Sequence, residues 1–316
     1  MKHLLSIGDL DREEIETLLD RADSFAEVTR RDIKKVPTLR GQTIVTLFYE
    51  SSTRTSSSFE LAAKRLSADV VSVKASGSSV DKGESLKDTV ETLSAYDPAA
   101  IVIRHPYAGA AQMLTDWVDA SVINAGDGMH QHPSQALLDV FTLLGRLGTL
   151  EGKSIWIVGD VLHSRVARSN IEAFRMMGAK VTVCGPPTLI PRGIESTGCE
   201  VRYSIDEIED ADVIYLLRMQ HERMGENFVP SIREYARLFQ VDSRRLTPRQ
   251  LVMHPGPVNR GVEIGSAVID SEQSLISDQV ASGLAVRMAI LYELLTHSDG
   301  TAEETPDGPV PIGEPA

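Results

Sequence analysis

Residues able to do chemistry recur in this chain where runs of β-branched residues end. In FYESSTRTSSSFE, residues 48–60, seven serine and threonine hydroxyls surround Arg54 directly after the run Thr43-Ile44-Val45-Thr46-Leu47. A strand giving way to a helix there leaves backbone N–H groups unpaired at a partly positive helix end, a natural seat for an anion. Ser52, Thr53 and Thr55 add hydroxyl donors, and Arg54 adds a planar fork that suits phosphate oxygens. The same string equally makes an N-capped helix start with a solvated arginine. It lacks the G-x-x-x-x-G-K-S/T pattern, so a nucleoside triphosphate is not indicated.

Further strand ends carry similar groups. Ile101-Val102-Ile103 delivers Arg104-His105-Pro106 to the place where ligands gather in open parallel sheets. NAGDGMHQHPSQ, residues 124–135, brings His132 and Gln135 to the mouth of a helix, an imidazole donor beside an amide able to read a small polar group. His130 and His132 also make an HxH pair, but a metal hydrolase needs further ligands at later strand ends and this loop runs into Pro133 and a helix. No metal is therefore expected. The run Ile155 to Asp160 has the look of a first nucleotide-binding strand, yet its turn continues with His163, Ser164 and Arg165 in place of GxGxxG, which suits a compact carboxylate better than a dinucleotide. A run over 213–217 leads to Arg218 and Gln220, so two arginines could grip two carboxylates.

The elements that must position these groups alternate along the chain. Residues 10–31 have apolar positions at helical spacing, and strand-like runs follow at 43–49, 69–73 and 100–103. A second series has strands over 154–158, 180–184 and 213–217, with a helix over 165–177. The pattern predicts an α/β protein of two Rossmann-like halves, each a parallel sheet flanked by helices. The turn-rich stretch 124–133 and a helix over 134–145 carry the chain from one half to the other. A long amphipathic helix is expected over 280–296, and the Pro-, Gly- and acid-rich residues 299–316 read as a disordered tail.

Composition limits the rest. The 316 residues, 42% hydrophobic, suffice for two cores. A net charge of −13 speaks against nucleic-acid binding, so any anion must sit in a local basic pocket. No signal peptide or membrane span is read, and Cys184 and Cys199 form no ligand or disulfide pattern; both observations suit a cytoplasmic protein.

SSTRTSSSFE, RHP at 104–106, NAGDGMHQHPSQALLD, VGDVLHSRVARSN, RMQHERM and HPGPVNRGVEI, in this order and spacing, resemble the catalytic chains of the aspartate carbamoyltransferase family over about residues 1–295. The resemblance implies transfer of a carbamoyl group from carbamoyl phosphate to L-aspartate in pyrimidine synthesis, without a cofactor. It implies a carbamoyl phosphate-binding domain over 1–133 plus 281–298, with the C-terminal helix returning to it, and an aspartate-binding domain over 134–280. It also implies a homotrimer with active sites shared between neighbours, and leaves open a higher assembly with regulatory or dihydroorotase chains. By the same resemblance Ser52, Thr53, Arg54, Thr55 and Arg104 hold the phosphate. His132, with Arg54 and Thr55, polarises the carbamoyl oxygen, and Gln135 and the carbonyls of Pro255 and Gly256, next to Pro257, receive the carbamoyl amine. Arg165, Arg218 and Gln220 hold aspartate, Ser78 and Lys82 come from the adjacent subunit, and Glu50 bridges to Arg165 and Arg223. Position 56 departs from the family, being serine where many relatives have a second arginine, and Gly256 is expected to matter only through its carbonyl. The ornithine branch shares the STRT and HPxQ half, but carries Ser-Met-Gly and HCLP where this chain has Arg218 and HPGP.

Overall fold

Ile15, Leu18, Leu19, Ala22, Phe25 and Val28 share the buried face of α1 (Arg12–Arg30), and Asp11 with Glu14 closes a capping box at its start. That cap trims the helix expected over 10–31. The computed structural model describes residues 1–74, 83–220 and 228–296. The expected tail at 299–316, together with Ser78, Lys82 and Arg223, lies outside the described residues.

The first sheet comprises β1 (Thr43–Phe48), β2 (Asp69–Lys74), β3 (Ala100–His105) and β4 (Ser121–Asp127), in the order β2-β1-β3-β4 with every pairing parallel. In sequence, α2 (Thr53–Arg65), α3 (Leu86–Ser94) and α4 (Ala110–Leu114) separate these strands. The second sheet comprises β5 (Ser154–Val158), β6 (Lys180–Cys184), β7 (Glu200–Arg202), β8 (Val213–Leu216) and β9 (Leu251–Met253), also parallel, in the order β7-β6-β5-β8-β9. The inner strands β1, β5 and β8 are buried along nearly their whole length, as parallel strands covered on both faces must be.

Between the sheets, α5 (Pro133–Leu147) leaves β4 and leads toward β5; α6 (Arg165–Met176) follows β5, α7 (Ile232–Phe239) lies between β8 and β9, and α8 (Ser266–Ile269) follows β9. The last described helix, α9 (Ile276–Thr296), returns to the first half and packs against α1, α2 and α5. Its Tyr292 meets Phe25 edge-on at 5.7 Å, and Glu293 pairs with Arg21 at 2.9 Å. The architecture is thus the expected pair of helix-flanked parallel sheets with the final helix folding back.

Six expected strands coincide with β1, β2, β3, β5, β6 and β8 to within two residues. β4 was not expected: residues 124–133 read as turn, yet Asn124 to Asp127 complete a strand. Its turn-forming residues are held by the N-terminal segment, for Leu4 N–H donates to Val122 O at 2.9 Å and Asn124 N–H donates back to Leu4 O at 2.9 Å. Asn124 Nδ2 adds bonds to Leu5 O and to Asp127 Oδ1. β7 and β9, three residues each, are too short to show a period. α9 begins four residues before the expected 280, because Leu275 O already accepts from Gln279 N–H.

Candidate active site

A cleft of about 630 Å³ opens between the two sheets. Its walls come from the carboxyl end of β3 and from segments that follow β1, β4, β5, β8 and β9, the position where open parallel sheets hold ligands. Ser52, Thr53, Arg54, Thr55, Arg104, His132, Gln135, Arg165, Arg218, Gln220, Pro255, Gly256 and Pro257, every expected site residue that the structure describes, lie in these walls. Among the described lining residues Arg54, Arg104, Arg165, Arg218 and Arg287 face a single carboxylate, Glu50. A net-acidic chain therefore concentrates positive charge at one place.

Ser52 occupies the N-cap of α2, but its side chain makes no capping bond. A capping serine would turn its oxygen to the helix N–H groups. Ser56 donates to Ser52 O at 2.6 Å, so the residue that replaces the family's second arginine braces the turn from within.

Glu50 joins the sheets. Arg104 Nε donates to its Oε2 at 3.2 Å, and Arg165 Nη2 donates to the same oxygen. Arg165 is buried as the first residue of α6, whose N-cap Ser164 accepts from Ala167 N–H. Its approach depends on Gly126, at φ +115, where a Cβ would stand 2.7 Å from Arg165 Nη1. Gln220 is seated by two bonds, from its N–H to Asp160 Oδ2 at 3.3 Å and from Nε2 to His163 O at 3.2 Å. His163 meets Asp160 Oδ1 at 2.9 Å and so buttresses this loop.

His132 is the N-cap of α5, placed by a tight turn in which Gln131 N–H donates to Asp127 Oδ1, and its own N–H donates to Ser169 Oγ at 2.8 Å. Burial first, and then Arg104, Arg287 and Arg165, hold its imidazole well below the usual histidine range. At neutral pH it is an uncharged ring that can donate a hydrogen bond. His130, its partner in the HxH pair, is exposed and directs Nδ1 to Asp127 Oδ2 at 3.1 Å.

The fourth wall is the loop after β9. Gly256 N–H donates to His254 Nδ1 at 2.8 Å, so Nε2 carries the proton and donates to buried Glu263 at 3.1 Å. Gly256 has φ +68 and forms a cis bond to Pro257. A Cβ there would come 2.6 Å from Arg54 Cζ, so a side chain at this position would require the Arg54 guanidinium to shift.

Sequence reading did not single out Ser58, Gln279 or Arg287, although all three line the cleft. Arg287 lies buried on α9, donates to Ser58 Oγ at 3.0 Å and stacks over Phe59 at 5.1 Å. Burial pulls its pKa down to about 10. A lone arginine inside the apolar run Val286 to Leu291 was the available signal.

Paired parallel sheets with an arginine-lined cleft at their carboxyl ends define a two-domain α/β protein of the kind that holds small anionic molecules between its halves. The chain belongs to the aspartate/ornithine carbamoyltransferase family: residues 2–145 match its carbamoyl-P binding domain, and residues 151–294 match its Asp/Orn binding domain. It is 56% identical over 297 residues to the aspartate carbamoyltransferase catalytic subunit of Pelotomaculum thermopropionicum, an alignment spanning 93% of this chain and 96% of the relative. It is similar to the catalytic subunit of M. jannaschii aspartate transcarbamoylase, with 34% identity, a TM-score of 0.84, and coverage of 95% of this chain and 100% of the other. It is also similar to aspartate transcarbamoylase from Trypanosoma cruzi in complex with carbamoyl phosphate and aspartate, with 29% identity, a TM-score of 0.83, and coverage of 93% and 97%.

Proposed function

We infer that this chain is an aspartate carbamoyltransferase, transferring the carbamoyl group of carbamoyl phosphate to the amine of L-aspartate to give N-carbamoyl-L-aspartate and phosphate. The convergence of Arg54, Arg104, His132, Arg165 and Arg218 in one cleft of a net-acidic chain is the observation that carries this reading. The proposed division of the chain puts carbamoyl phosphate on residues 1–133 plus 281–298 and aspartate on 134–280. Ser52, Thr53, Arg54, Thr55 and Arg104 then hold the phosphate, while Arg165, Arg218 and Gln220 hold the two carboxylates of aspartate.

The aspartate nitrogen attacks the carbonyl carbon, the new C–N bond forms, and the C–O bond to phosphate breaks. Charge grows on the carbonyl oxygen and then on the departing phosphate, so donors fixed at those points act mainly on the transition state. Neutral His132, Arg54 and Thr55 serve the oxygen; Gln135 and the carbonyls of Pro255 and Gly256 receive the carbamoyl NH2. The amine proton passes to the leaving phosphate, so no side chain need act as base. Holding both substrates in line supplies a comparable orientation effect.

Incubation with carbamoyl phosphate and either aspartate or ornithine tests the reading. Carbamoylated aspartate is expected, and product from ornithine alone overturns it. The proton route has its own test in the pH profile of kcat. Because His132 is held neutral, its protonation lies well below the usual histidine range and contributes no limb near neutrality. His132→Ala should lower kcat while preserving the profile's shape; loss of a limb would make His132 the base.

The resemblance supports a homotrimer in which Ser78 and Lys82 complete a neighbour's site, located in the cytoplasm. Among the described residues, no helix is long and apolar enough to cross a membrane.

A further inference from the structure

Asp139 lies one helical turn beyond Gln135 on α5 and is fully buried. Four hydrogen bonds reach its carboxylate from four elements. Tyr215 Oη of β8 (2.7 Å) and Asn170 Nδ2 of α6 (2.9 Å) donate to Oδ2, while Gln135 Nε2 of α5 (3.0 Å) and Gln279 Nε2 of α9 (2.7 Å) donate to Oδ1. An ionised carboxylate is acceptor-only, so it dictates which way each amide turns. The NH2 groups of Gln135 and Gln279 face it, and their carbonyl oxygens must face elsewhere. Gln279 Oε1 accepts from His254 N–H at 3.0 Å, and His254 Nδ1 in turn accepts from Gly256 N–H. Gln135 Oε1 is left for the cleft that this residue lines.

We propose that Asp139 is a positioning residue that aims three acceptors at one point: the carbonyl oxygen of Gln135 directly, and the carbonyls of Pro255 and Gly256 through Gln279 and His254. The proposal rests on the carbamoyl phosphate reading, in which that point is the carbamoyl NH2. Asp139 thereby gives the cleft its preference for an amine-bearing phosphate over phosphate itself, although it touches neither. Burial pushes its carboxyl up to about 6 against the pull of its four donors, with Arg287 the cation on the α9 side and Tyr215 the titratable group on β8, so it is ionised above that pH.

Asp139→Asn has nearly the same shape but turns an NH2 toward one pair of donors, so Gln135 or Gln279 must flip or face a donor. Calorimetric Kd values for carbamoyl phosphate and inorganic phosphate, the expected product, test this in wild type, D139N, Q135A and the double variant. Expected is a loss of roughly tenfold or more in carbamoyl phosphate affinity in D139N, with phosphate affinity unchanged. In the Q135A background the same substitution should have a markedly smaller effect on the ratio of the two Kd values. If D139N does not fold, Tyr215→Phe, which keeps the ring and removes one donor to Oδ2, should lower the ratio about threefold. Parallel losses for both ligands, or an unchanged ratio, overturn the proposal while leaving the functional reading intact. A wild-type protein with no preference for carbamoyl phosphate overturns the functional reading and this inference with it.

Discussion

Replacing Arg54 with alanine is expected to lower kcat by roughly 10²–10³-fold, the cost of about 2.7–4 kcal/mol that follows removal of a fixed transition-state donor. Arg54 is the second residue of α2, exposed to the cleft, with its guanidinium under the loop that carries Gly256. In the proposed geometry it reaches both the carbonyl oxygen and the departing phosphate, where charge grows as the reaction proceeds. Its loss should therefore appear in kcat under saturating substrates as well as in kcat/KM. The fold should tolerate the change, since the side chain is exposed. Steady-state rates of carbamoyl-aspartate formation decide the matter. A raised KM for carbamoyl phosphate with kcat within threefold of wild type would reduce Arg54 to a binder of the ground state.

The second large effect is expected at Arg165, where alanine should lower kcat/KM for aspartate about 100-fold. A guanidinium fork on a carboxylate makes charge-assisted hydrogen bonds of about 1.5–3 kcal/mol each. Arg165 is buried and anchored to Glu50, so the fork meets its ligand already oriented. Carbamoyl phosphate affinity should barely change, because Glu50 Oε2 retains its bond from Arg104 at 3.2 Å. Separate titrations of the two substrates check this, and an equal loss for both would mean that Arg165 only holds the halves together.

The site was legible to the extent that its chemistry is local. Hydroxyls, arginines and the His132–Gln135 pair stand directly after apolar runs, and a parallel sheet brings the carboxyl ends of its strands to one rim. Order within the sheets was not legible, since register and neighbour choice arise from packing between distant segments. β4 escaped because its last residues, Asn124 to Asp127, include turn formers that are held extended by pairing with β3 and by the N-terminal segment. Asp139, Gln279 and Arg287 escaped for a related reason. Each occupies an ordinary helical position; the return of α9 across α2 and α5 brings Gln279 and Arg287 to the cleft, and Gln279 to Asp139 on α5. His163 shows the converse, a residue placed at a strand end that is occupied with Asp160.

The lacing of Leu4 against Ile123 reaches further than the strand it props. β4 closes one border of its sheet, and the row of amides and carbonyls on its outer side would otherwise meet water bare. Such a row is an invitation for another chain to join. The opening residues thus occupy two groups of that border, Val122 O and Asn124 N–H, at the strand that hands the chain to His132.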